Sequence, residues 1–163
     1  MTEAPLAFVS ASPDGRYELR FERDIPHPSE DVWATVSNPQ RIGHWLSDAE
    51  VELRPNGRFR LHGQCNVEGE VLEVTPPAVF RWTWPDPEHP HSEVSITISR
   101  LEDGACHMTL VQTDLPRRHV LDVAAGWHTH LDALPGAILD ERTPYNAERA
   151  VAHYRRYAAK LSF

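Results

Sequence analysis

An α+β fold, with helices set apart from an antiparallel meander, is what this sequence predicts, and three observations predict it. Between Val51 and Gln112, apolar residues recur with period two in short runs broken by Pro, Gly, Asn and Asp. Two short helical patterns precede that stretch, and longer ones follow it to the end of the chain. Strands and helices nowhere alternate one for one, as a parallel sheet requires. The 163 residues read as a single domain, 1–163, large enough for a core and a cavity within it.

Residues 1–14 read as a loosely held start. Tyr17, Leu19 and Phe21 then alternate with charged neighbours as a half-buried strand. Pro26 and Pro28 stop it. Ser29 is placed to cap a short helix with Val32, Trp33 and Val36 on its apolar side, and Asn38-Pro39 starts another with Ile42, Trp45 and Leu46. Pro55-Asn56-Gly57 is a hairpin turn between Val51–Leu53 and Phe59–Leu61. The faces of residues 66–74 cannot be phased, because Val67 and Val71 alternate with Leu72 and Val74. Phe80, Trp82 and Trp84 share a strand face; Val94, Ile96 and Ile98 form the next strand; Met108, Leu110 and Gln112 share a face of the last. The loop from Pro85 to His91 holds three prolines and is read as irregular. A long helix is expected from Arg118 to Leu139, disturbed at Pro135-Gly136, closing a core of residues 16–139. A final helix over 143–162, capped by Thr143, carries Ala147, Val151, Tyr154, Ala158 and Leu161 at helical spacing.

The net charge of −8 argues against nucleic acid and anionic membranes, which need clustered Lys and Arg. No stretch reaches the ~20 apolar residues of a membrane span, and residues 1–15 lack a signal-peptide pattern. A cytoplasmic protein is expected, with Cys65 and Cys106 as reduced thiols.

Several pieces in this order resemble the START-like superfamily (SRPBCC, or birch-pollen-allergen-like), in the branch named for the activator of heat-shock-protein-90 ATPase. They are Pro28-Ser29-Glu30-Asp31-Val32-Trp33, Ile42-Gly43-His44-Trp45-Leu46, Gly69 to Pro77, Phe80-Arg81-Trp82-Thr83-Trp84 and Gly126 to Leu134. The resemblance implies a helix-grip fold: a curved sheet of about six or seven strands around the long helix, with a cavity between them. It departs at Gln112 and Asp114, where a His and then a small residue are expected.

On that reading the cavity wall comprises Trp45, Phe59, Leu61, Phe80, Trp82, Trp84, Ile96, Met108, Leu110, Trp127, Leu131 and Leu134. The same residues would serve equally as filled core, since one buried Trp removes ~150–250 Å² from water, roughly 4–6 kcal/mol. His130 shares the inward helical face with Trp127, Leu131 and Leu134, and with Gln112 is the expected hydrogen-bonding partner of a ligand. His128 points ~200° away at ~100° per residue, so His128 and His130 cannot share a metal; His128 and Asp132 read as a surface pair. His62, beside Arg58 and Arg60, reads as solvent-facing, and His89 and His91 lack a third ligand. No metal site, cofactor or catalytic constellation is expected.

The first functional expectation is therefore a binding protein for a small hydrophobic or aromatic molecule. A cyclase or dehydratase on the same fold is the alternative, with His130, Gln112 and Glu70 as its test positions. A heat-shock chaperone co-factor ranks last, because the N-terminal docking domain of the eukaryotic activators has no counterpart here. The outward side of residues 145–161 offers a surface for a homodimer.

Overall fold

The computed structural model describes residues 3–162. Eight strands form one antiparallel sheet: β1 (Phe8–Ala11), β2 (Tyr17–Ile25), β3 (Asp48–Val51), β4 (Arg58–His62), β5 (Val67–Thr75), β6 (Val79–Thr83), β7 (Glu93–Arg100) and β8 (Cys106–Leu115). Their order is β1-β2-β8-β7-β6-β5-β4-β3. The strand after the first helices thus closes one edge, and the chain walks back to β2. The sheet is curved and carries a long helix, the helix-grip arrangement.

The count exceeds the expected six or seven because residues 8–11, read as a loose start, pair with Tyr17–Arg20. Their side chains are mostly exposed, so no hydrophobic alternation announced the strand. The unphased faces of residues 66–74 have a physical cause. The register of β5 against β6 shifts between Val71 and Glu73, and one extra residue in a strand swaps the faces beyond it.

Helix α1 (Ser29–Ser37) follows Pro28, and Ser29 does not cap it; the Ser29 hydroxyl instead accepts from Arg100 Nε at 3.2 Å. Helix α2 (Pro39–Ile42) has the predicted cap, with Asn38 accepting from the Gln40 N–H. The expected single helix from 118 to 139 is two, α3 (Arg117–Asp132) and α4 (Leu134–Ile138), because Pro135 has no N–H to continue the first ladder. The last helix, α5 (Ala147–Leu161), starts later than expected: Asn146, not Thr143, caps it by accepting from the Arg149 N–H. Its buried residues are His153 and Tyr157, while Val151 and Tyr154 are exposed. The apolar repeat read from the sequence is therefore not the face that packs.

Between sheet and helices lies one core. Phe59 stacks on Trp82 at 4.7 Å, and Phe80 lies 4.8 Å from Trp82. Ile96, Met108, Leu110, Leu131 and Leu134 complete this cluster with Leu61. All of these are buried.

Candidate functional site

The first turns of α3 leave one open space against the sheet. His119, Asp122, Val123, Gly126, Trp127 and His130 border a cleft of about 300 Å³. They fall at i, i+3, i+4, i+7, i+8 and i+11, a single helical stripe. Trp84, Asp86 and His89 of the β6–β7 loop face them, and Cys65 and Gln112 complete the lining. Trp84 and Trp127 meet edge to face at 5.2 Å, and His89 and His119 do the same at 5.6 Å.

Gly126 sits mid-helix where a Cβ would meet nothing within 4 Å. A glycine there costs the helix ~1 kcal/mol relative to alanine. No close packing requires it, and its missing side chain widens the cleft.

Gln112 is 1 % exposed. Its Oε1 accepts from Trp127 Nε1 at 2.6 Å, and its Nε2 donates to Ser92 Oγ at 3.0 Å. The hydroxyl of Ser92 continues to the Thr113 carbonyl at 2.7 Å. The amide expected to greet a ligand is thus engaged in holding Trp127.

His130 is buried between Trp127 and Tyr145. Its Nδ1–H donates to the Trp45 carbonyl at 3.2 Å, which leaves Nε2 as an acceptor 3.6 Å from Cys65 Sγ. Burial pushes the imidazole down to about 4, against the opposing Trp45 bond, and pushes the thiol up to about 11. A nucleophilic cysteine needs the opposite shifts. The pair is a neutral thiol resting on a neutral imidazole.

His89, read as part of an irregular loop, is 4 % exposed. Burial lowers its pKa, with Asp86 opposing. Its Nε2 lies 3.9 Å from Asp86 Oδ1, and its buried Nδ1 has no hydrogen-bond partner.

Of the predicted wall, Trp84, Gln112, Trp127 and His130 border this cleft. Trp45 and His130 border a second, more polar cavity of about 520 Å³ with Thr129, Tyr145, Arg142 and Asp48. His62 is exposed, as expected, and stands at its border. Phe59, Leu61, Phe80, Trp82, Ile96, Met108, Leu110, Leu131 and Leu134 border neither and fill the core. From the sequence, Cys65, His89 and Gly126 read without a part in the cleft, and His119 and Asp122 are not singled out. Continuing the Trp127–Leu134 stripe back from Trp127 by four and eight residues finds Val123 and His119; nothing local marks His89 as a cleft residue.

The family described as Activator of Hsp90 ATPase homolog 1-like protein matches residues 26–138. The chain belongs to this family. Solved structures carry the same START-like fold. CalU16 from Micromonospora echinospora is 24% identical, with a TM-score of 0.77 and 96% of each chain covered. A Bordetella parapertussis protein, BPP1335, is 26% identical, with a TM-score of 0.67, covering 96% of this chain and 94% of that one. An HSP90 activator from Plasmodium falciparum, PFC0360w, is 19% identical, with a TM-score of 0.54 over 61% and 74%. No curated protein matches the chain. No helix among the described residues is long and apolar enough to cross a membrane.

The family match ends before α5, yet α5 is tied to α3 by a buried polar chain. The Ala7 N–H donates to the Tyr157 hydroxyl at 2.9 Å, and that hydroxyl meets His128 Nδ1 at 2.8 Å. The His128 ring lies 4.1 Å from that of His153, whose Nε2 meets Asp132 Oδ2 at 2.7 Å. His128, expected on the surface with Asp132, is 1 % exposed. The correction has a simple cause: α5 covers the side of α3 that the helical wheel leaves outward.

His128, Asp132 and His153 present ligand-type atoms within 4.8 Å of one another. Their hydrogen bonds oppose a metal. A metal-bound histidine donates its other ring N–H to an acceptor. Here Arg156 donates to His153 Nδ1 at 3.2 Å, so that nitrogen is an acceptor and carries no proton to give, and the Tyr157 hydroxyl, which accepts from the Ala7 N–H, meets His128 Nδ1. Arg149 stands 3.4 Å from the same Asp132 oxygen. The group acts as a strut between helices.

Proposed function

We propose that this family member binds a small, mainly apolar aromatic molecule in the cleft beneath the first three turns of α3. Gly126 carries the reading: a helix glycine with open space beside it, in a cleft of about 300 Å³ that Trp84 and Trp127 also border. That volume sits at the lower end of small-ligand pockets, at ~300–1,000 Å³. Trp84 and Trp127 supply the aromatic faces, and Gln112 acts at one remove by fixing the Trp127 indole. The likeness to an HSP90 activator reaches the fold.

Cyclase or dehydratase chemistry would need a cleft group poised near neutral pH. Burial drives His130 and Cys65 away from that range, which favours binding over turnover.

Isothermal titration with 1-naphthalenemethanol tests the proposal. Saturable binding to the native chain, abolished in Gly126→Leu while the far-UV spectrum is unchanged, supports it. Equal binding by both proteins, or none by either, overturns it.

A further inference from the structure

The cleft is chemically one-sided. The side chains bordering it include two carboxylates, Asp86 and Asp122, and no Lys or Arg. The cations nearest its rim are already paired. Arg16 lies 3.2 Å from Asp114, and Arg118 lies 3.0 Å from Glu88, which also holds His119 at 2.6 Å.

The hydrogen-bonding inventory is equally skewed. Gln112 has its amide bonded on both sides, and the acceptor nitrogen of His130 faces the Cys65 thiol. His89 directs Nε2 toward Asp86, and the tautomer that carries its proton there leaves Nδ1 a bare lone pair. That nitrogen is buried and unpartnered. The charge that the cleft offers a ligand is thus that of two carboxylates, Asp122 and Asp86, whose Oδ1 also accepts from the Glu88 N–H at 2.9 Å. Beside them stand the faces of Trp84 and Trp127, which attract cations through the ring quadrupole.

We infer that the cleft selects an aromatic molecule bearing a protonated amine over its isosteric carboxylate. This rests on the binding reading above and names the ligand's polar end. The ammonium would lie against the two carboxylates, with its ring packed on the Trp84–Trp127 pair, whose rings meet edge to face. A carboxylate in the same place meets negative charge and no Lys or Arg.

Three matched probes separate the outcomes: 1-naphthylmethylamine, 1-naphthalenemethanol and 1-naphthoate, each titrated calorimetrically at low salt. The expected order is amine, then alcohol, then carboxylate, with the amine ahead of the alcohol by about fivefold, the upper range for a partly exposed ion pair. Asp122 is exposed, so Asp122→Asn leaves the fold intact. It should reduce amine affinity severalfold and remove most of the amine's lead over the alcohol. Alcohol binding without amine preference overturns the inference and spares the binding reading. A preference for naphthoate, or one that survives both Asp122→Asn and Asp86→Asn, overturns it as well. Failure of all three probes overturns both.

Discussion

Trp127 and Gln112 are joined by a 2.6 Å hydrogen bond between α3 and β8, both side chains buried. The bond continues through Ser92 to the Thr113 carbonyl, so every polar atom along it has a partner inside the protein. Burying an indole N–H without an acceptor costs ~1–3 kcal/mol, which explains why a glutamine belongs among apolar neighbours.

Replacing Gln112 by Leu strands the Trp127 N–H and removes a donor to Ser92. The variant should lose about 2–3 kcal/mol in urea unfolding and bind 1-naphthalenemethanol more weakly. An unchanged midpoint would mean that water or another acceptor takes over the indole.

Gly126→Ala should have the contrary effect on stability. The added Cβ meets nothing, so helix propensity alone acts, and the midpoint should rise by ~0.5–1 kcal/mol. Gly69→Ala provides the contrast, because its Cβ would lie 2.4 Å from the Thr83 carbonyl oxygen. Overpacking of this kind costs ~1–3 kcal/mol. If both alanines moved stability the same way, the space assigned to the cleft at Gly126 would be wrong.

Two buried histidines predict the acid response. Burial lowers His128 to about 3 and His130 to about 4 from the usual 6.5. A depressed histidine stays neutral in the fold while the unfolded chain takes up its proton. Stability is therefore full above pH 6.5 and falls as pH drops toward the folded values. Between pH 7 and 5 the two should together cost on the order of 3 kcal/mol, before carboxylates contribute. Urea midpoints across that window measure it, and His130→Gln should flatten the slope by about half.

The Tyr157 hydroxyl joins Ala7, α3 and α5. Tyr157→Phe keeps the ring and leaves the Ala7 N–H and His128 Nδ1 without their partner. A loss of ~1–3 kcal/mol is expected, with increased amide exchange in Phe8–Ala11 and α5. A loss without local exchange would place the hydroxyl's role elsewhere.

Cys65 should resist alkylation. A rise from 9.0 to about 11 lowers its thiolate fraction at pH 8 about 100-fold. Peptide mapping after iodoacetamide treatment should find Cys65 labelled only once urea opens the cleft. Rapid labelling of the native protein would show an activated thiol and revive the enzyme reading.

Much of this architecture was legible in the chain. The Pro55-Asn56-Gly57 turn, the period-two runs and the Asn38 cap are local signals, each contained in a few consecutive residues. The inward stripe of α3 was half visible through Trp127 and His130. The START-like order of elements was readable too, and the family match agrees with it.

What required the tertiary structure was every feature set by contact between distant segments. No local pattern says that α5 covers His128, because the partner Tyr157 lies 29 residues away. Residues 8–11 become a strand only through the edge that β2 offers them. Phe59 and Trp84 look alike in sequence, yet one is sealed in the core and the other borders the cleft. Side-chain period encodes which way a residue faces along its own element. Whether that face meets a neighbour, a cavity or water depends on where the other elements come to rest.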